Sequence, residues 1–156
     1  MLEVGDKAPN TTLLDQNGDE VSLKDFRGHR VILFFYPKAN TPGCTTQSCN
    51  LRDAATDLAT YDAVVIGVSP DKPTAQRRFD DKHALGFPLL SDTDHELAEA
   101  FGAWGEKKMF GKTYDGVIRS AFVIDEKGVI SASFRKISPK DTVPNVIAAL
   151  DELGKV

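Results

Sequence analysis

The chain has 156 residues, 41% hydrophobic and 27% charged, with 23 acidic against 19 basic side chains for a net charge of −4. That length suits one folded domain over residues 1–156, and the ordinary balance of apolar and charged residues excludes a disordered or fibrous chain. The acidic balance without a basic stripe excludes a nucleic-acid footprint. The start Met1-Leu2-Glu3-Val4-Gly5-Asp6 and the lack of a long apolar run predict a cytoplasmic protein, neither exported nor membrane-bound.

In chain order, Asn17-Gly18 between residues 11–14 and 20–23 predicts a small structural hairpin placed before the main sheet. The continuous apolar run at 31–35, Val-Ile-Leu-Phe-Phe, closed by Tyr36-Pro37, reads as a buried central strand. A helix is expected over about 44–60, a second buried strand over 63–68, and a helix over 73–83 with Pro73 in its first turn. Leu89-Leu90 predicts a short strand and 96–101 a short helix. Trp104 and Phe110 flank a Gly-rich stretch, where aromatics are more often structural than functional. Residues 121–124 and 129–134 flank the turn Asp125-Glu126-Lys127-Gly128 as a hairpin, and a last helix over 142–153 stops at Gly154. Strands alternating with helices, then a hairpin and a helix, predict an α/β fold of thioredoxin-like layout. Helices flank a central mixed β-sheet, and an N-terminal β-hairpin precedes it.

Two cysteines in a chain read as cytoplasmic are not expected to form a structural disulfide, and any pairing there is transient and catalytic. Cys44 falls where a helix begins, after the loop that follows the central strand. Unpaired amides and the positive end of the helix dipole favour an anion there, hence the nucleophilic thiolate. Thr41 supplies a hydroxyl three residues earlier, able to bond a thiolate or an incoming oxygen, and Pro37 can shield the site from water. An inert buried cysteine is the plain alternative for one such residue, but Cys44 lies among small and polar residues and a second cysteine follows in the same helix. A zinc site lacks short cysteine spacing, and His29, His83 and His95 are scattered. A disulfide reductase would carry two residues between its cysteines where this chain has four.

The segment Pro37-x-x-x-Thr41-x-x-Cys44 resembles the peroxidatic motif of the peroxiredoxins. Cys49, five positions after Cys44, makes the chain similar to the bacterioferritin comigratory protein, or peroxiredoxin Q, subfamily. Further matches run along the chain: Gly5-Asp6-x-Ala8-Pro9, Leu51-Arg52-Asp53, Leu90-Ser91-Asp92, Phe101-Gly102-x-Trp104-Gly105-Glu106-Lys107 and Arg119-x-x-Phe122-x-Ile124-Asp125. The resemblance implies a thiol peroxidase of antioxidant defence that reduces hydrogen peroxide and organic hydroperoxides to water and alcohols. It implies Cys44 as the nucleophile that becomes a sulfenic acid, Cys49 as its resolver through a redox disulfide, and Pro37, Thr41 and Arg119 around the peroxide. By itself Arg119 reads as a solvent-facing side chain. The resemblance further implies no metal or other cofactor, and thioredoxin, or else glutaredoxin, as electron donor. A monomer is the expected state, with a dimer as the alternative. Two alternatives stay open, a general thiol-disulfide oxidoreductase and a peroxide-sensing redox binding module; catalytic peroxide consumption with thioredoxin separates them.

One consequence is geometric. Five residues along a regular helix separate Cα atoms by about 8.7 Å, more than the roughly 4.4–6.8 Å a disulfide spans. If both cysteines share a helix, its start must unwind before they pair.

Overall fold

The computed structural model describes residues 2–154. Strands β1 (Thr12–Leu14) and β2 (Glu20–Ser22) form the first hairpin, and β3 (Arg30–Phe35) leads into helices α1 (Pro42–Asp53) and α2 (Ala55–Ala59). Next come β4 (Ala63–Ser69), α3 (Pro73–His83), β5 (Leu89–Ser91) and α4 (Glu96–Phe101). The chain closes with β6 (Trp104–Met109), β7 (Lys112–Val117), β8 (Ser120–Ile124), β9 (Ile130–Arg135) and α5 (Thr142–Leu153). Among the described residues the main sheet has seven strands in the order β2-β1-β5-β4-β3-β8-β9, while β6 and β7 stand apart as a pair. This is the expected mixed sheet: β3 runs parallel to β4 and antiparallel to β8.

Strand β3 is buried throughout because it lies mid-sheet with apolar layers on both sides. Its alternation sends Ile32, Phe34 and then Tyr36 into a cluster with Leu51 of α1, Phe79 of α3 and Val146 of α5. Val31, Leu33 and Phe35 enter the opposite cluster with Leu97 and Phe101 of α4. Gly67 of β4 makes the first layer fit. A Cβ there would stand 2.9 Å from Phe34 and 3.0 Å from Tyr36, whose rings stack at 5.3 Å between centroids.

Two local expectations differ from what is found, and a stretch with no predicted element proves regular. The single helix over 44–60 is two helices. It begins at Pro42, whose ring presets the first helical φ, and breaks at Ala54, where ψ of 1° leaves the helical line. The break turns Ala54, Leu58 and Tyr61 into the core together. The N-terminal hairpin does not precede the sheet but extends it, Leu14 of β1 pairing with Ser91 of β5. The Gly-rich stretch after Trp104 is a hairpin, paired from Trp104↔Val117 to Met109↔Lys112 and turned by Phe110 (φ 52°) and Gly111 (φ 76°), both left-handed as a tight two-residue turn requires. At its tip Phe110 is 96% exposed. Among the described residues no helix is long and apolar enough to cross a membrane.

Candidate active site

The sheet register assembles the site. Pairing of Phe35 with Ser120 across β3 and β8 sets the residue before Ser120 opposite the residue after Phe35. Arg119 is thereby delivered to the end of the strand from which the Cys44 loop departs. The main chain of Arg119 is fixed from the other side, its carbonyl accepting the Ile137 N–H at 3.0 Å.

Thr41 takes the N-cap position of α1, Pro42 and Gly43 follow, and Cys44 is the third helical residue. The N–H groups of Gly43 and Cys44 lie in the first turn, where no earlier helical carbonyl faces them. Cys44 is fully buried and Cys49 half-buried, both as free thiols. The Arg119 guanidinium donates through Nη2 to Cys44 Sγ at 3.4 Å and through Nη1 to Gln47 Oε1 at 2.8 Å. The guanidinium lies across Gly43, where a Cβ would stand 3.2 Å from Nη2. A fixed cation beside the sulfur favours any anion that develops there.

Gln47 belongs to this arrangement although its sequence context did not single it out. It is fully buried, and its Nε2 donates to Thr142 Oγ1 at 3.0 Å, which in turn donates to the Ser138 carbonyl at 3.0 Å. The start of α5 thus holds Gln47, and Gln47 holds Arg119. The only signal in the sequence was spacing, since a residue three positions after Cys44 shares its helix face.

Pro37 is half-buried where β3 ends. The Thr41 hydroxyl donates to the Lys38 carbonyl at 2.7 Å, not to the sulfur. The intervening loop is tied from below: the Ala39 N–H donates to Asp71 Oδ2 at 2.7 Å, which also accepts from Ser69 Oγ at 2.7 Å. Gln76 Nε2 donates to Ser69 Oγ at 2.9 Å, and Gln76 Oε1 accepts the Tyr36 hydroxyl. Burial keeps the Tyr36 phenol protonated far above its ordinary range. The structure therefore brings Pro37, Thr41, Cys44 and Arg119 to one end of β3, with Cys49 farther along α1. Among the described residues no cluster of three or more His, Cys, Asp or Glu side chains could hold a metal ion.

Residues 4–133 match the model of the AhpC/TSA family. The chain is 52% identical over 133 residues to peroxiredoxin Bcp of Escherichia coli, covering 85% of each protein. It is 45% identical over 154 residues to peroxiredoxin Bcp of Bacillus subtilis, covering 99% of this chain and 98% of that one. A solved structure of the Xanthomonas campestris bacterioferritin comigratory protein, a protein with alkyl peroxide reduction activity, matches with a TM-score of 0.89 at 30% identity, over 97% of this chain and 98% of that one. With fold, motif and relatives in agreement, the chain belongs to the AhpC/TSA family as a peroxiredoxin of the Bcp, or peroxiredoxin Q, group, a thiol peroxidase.

Proposed function

We propose that Cys44 is the nucleophile that reduces hydrogen peroxide and organic hydroperoxides, that Cys49 resolves the product, and that an external dithiol of the thioredoxin type restores both thiols. The observation that carries this reading is the buried Cys44 sulfur held at 3.4 Å by the Arg119 guanidinium in the first turn of α1. In the first step the thiolate attacks the terminal peroxide oxygen. An S–O bond forms as the O–O bond breaks, the sulfur is oxidised to a sulfenic acid, and the departing oxygen takes a proton to leave as water or alcohol. Arg119 and the first-turn amides oppose the negative charge that develops on the oxygens. The Thr41 hydroxyl, whose proton is committed to Lys38, accepts the hydrogen bond of the peroxide O–H.

In the second step the Cys49 thiolate attacks the sulfenic sulfur, an S–S bond replaces the S–O bond, and hydroxide leaves as water. Both cysteines lie in α1, so at about 8.7 Å between Cα atoms the helix start unwinds first. Unwinding releases Gln47 from Arg119 and Thr142, which dismantles the peroxide site while the sulfurs are exchanged. Two electrons from the external dithiol then reduce the disulfide, and α1 refolds.

The test is peroxide consumption with a complete thioredoxin system. Cys44→Ser abolishes it, because a hydroxyl supplies no comparable anion. Cys49→Ser keeps one rapid oxidation of Cys44 but loses thioredoxin-supported turnover, and excess peroxide drives its sulfenic acid to sulfinic acid, seen as intact mass. Sustained turnover in either variant would sink the corresponding role. Amide exchange across residues 45–51 rises in the oxidised protein while the strands of the sheet keep their protection.

A further inference from the structure

The Cys44 sulfur is enclosed, but Arg119, which touches it, is only half-buried. It forms a wall of a cavity of about 530 Å³, whose other cationic walls are Lys107 and Lys108 of β6 and Lys136, just past β9. Glu106 is the single carboxylate among the lining residues, in a chain that is acidic overall. Among the described residues none of these three lysines is in an ion pair. The remaining walls, Ile118 and Ile137, are apolar and buried. Ile118 is packed against Gly105, where a Cβ would come within 3.1 Å of it.

Each cation is placed by the fold. Lys107 points inward from β6, half-buried, its stem lying over Gly116, where a Cβ would stand 3.2 Å from its Cδ. Lys136 adopts a left-handed backbone (φ 56°) as the chain turns from β9 to Ile137, the residue whose N–H binds the Arg119 carbonyl. The Lys107 ammonium is close enough to feel both the Arg119 guanidinium and the Cys44 sulfur. Burial, and after it Arg119, lowers its hold on its proton. A desolvated cation facing a second cation is relieved by an anion between them.

Hydrogen peroxide is neutral and small and leaves this cavity unused. A hydroperoxide with a short alkyl body and a carboxylate uses all of it: the peroxide on Arg119 at the sulfur, the alkyl body on Ile118 and Ile137, the carboxylate on Lys107 and Lys136. We propose that the cavity lined by Arg119 is an anion subsite that selects alkyl hydroperoxides carrying a carboxylate a few bonds from the peroxide group. The assignment rests on the peroxidase reading above and adds its substrate class.

The test uses three probes of one shape series: 4-hydroperoxy-4-methylpentanoate, its methyl ester and tert-butyl hydroperoxide. In the wild-type protein the acid has a kcat/KM about tenfold above the ester, a preference that shrinks in 0.5 M salt as the ion pairs are screened. Lys107→Met and Lys136→Met each reduce the acid-to-ester ratio severalfold, and together they bring it near one. Because the ratio is taken within one variant, a change in the nucleophile itself cancels. The two substitutions lie on different elements, so misfolding of one leaves the other informative. Equal kcat/KM for acid and ester in the wild type, or a ratio unmoved in both variants, would overturn the subsite. Binding is read separately from chemistry with 4,4-dimethylpentanoate, which has no peroxide, by amide NMR shifts at Lys107, Arg119 and Ile137. Shifts at these residues without consumption of any hydroperoxide would uphold the subsite while refuting the peroxidase assignment of the site. No shifts would overturn the subsite even if all three peroxides are consumed.

Discussion

Ser48→Ala separates the opening of α1 from the chemistry of the two sulfurs. Ser48 is fully buried one residue before Cys49, and its hydroxyl finds no protein partner among the described residues. A buried hydroxyl left unsatisfied costs about 1–3 kcal/mol, a cost removed when the helix unwinds into water. Alanine deletes the hydroxyl and is also the better helix former, by roughly half a kcal/mol. The substitution therefore favours the folded helix by roughly 1–2 kcal/mol, allowing for partial relaxation at the site. If opening is a rapid equilibrium ahead of resolution, disulfide formation slows by roughly 5- to 30-fold. Oxidation of Cys44 itself keeps its rate, since the folded helix is the form that meets peroxide. The longer-lived sulfenic acid then yields more sulfinic acid at excess peroxide. Rapid quenching with a thiol-alkylating reagent, followed by intact-mass measurement, resolves the two steps. An unchanged rate of disulfide formation in a variant whose melting temperature has risen would refute the opening step.

Arg119→Ala slows the reaction with peroxide by about 100-fold or more, the usual cost of a lost oxyanion donor, and Arg119→Lys recovers only part because it lacks the planar fork. Peroxide kinetics and Cys44 alkylation at fixed pH measure both effects, and wild-type values in the alanine variant would remove Arg119 from the site. Gln47→Ala frees the guanidinium while leaving its charge in place, so the peroxide rate falls by roughly tenfold, short of the Arg119→Ala loss; an equal loss in both variants would mean that Gln47 does more than position. Gly67→Ala drives a Cβ to 2.9 Å from Phe34, an overpacking that costs about 1–3 kcal/mol and lowers the melting temperature by roughly 2–10 °C. An unshifted thermal transition would show that the stacked rings of Phe34 and Tyr36 move aside freely.

The parts of the fold that the sequence announced are those whose signal is local. The apolar runs behind β3 and β4 were visible because strands buried on both faces leave no polar alternation to confuse. Helix α3 was bounded by Pro73 and α5 by Gly154, residues that punctuate by their own backbone chemistry. The β6–β7 hairpin escaped notice because Lys107, Lys108, Lys112, Thr113 and Asp115 give it no apolar face; its one local mark was Phe110-Gly111. The break at Ala54 carried no mark, since alanine is a good helix former and the turn there serves burial of Leu58 and Tyr61. The place of Cys44 in the first turn of a helix was legible from position; Thr41 was named as a nearby hydroxyl and by resemblance, and the structure turns that hydroxyl to the Lys38 carbonyl. Arg119 was not legible from position, because only the antiparallel register of β3 and β8 turns it from an outward charge into a partner of the sulfur. Gln47 and Lys107 share that difficulty, their surroundings being supplied by α5 and by the loop after β9.

That register also sets a clock on the thiol. Cys44 and the guanidinium that touches it are 75 residues apart in the chain, and at about 5–20 residues per second a ribosome needs roughly 4–15 s to travel from one to the other. Strands β3 and β4 can pair in that interval with what has already been made, but β8 has not yet been synthesised. A nascent or truncated chain therefore presents Cys44 without its cation, as a slow and unremarkable thiol. On the proposed mechanism the chemistry switches on only when the last strands close the sheet, so an unfinished molecule would not spend its sulfur on peroxide.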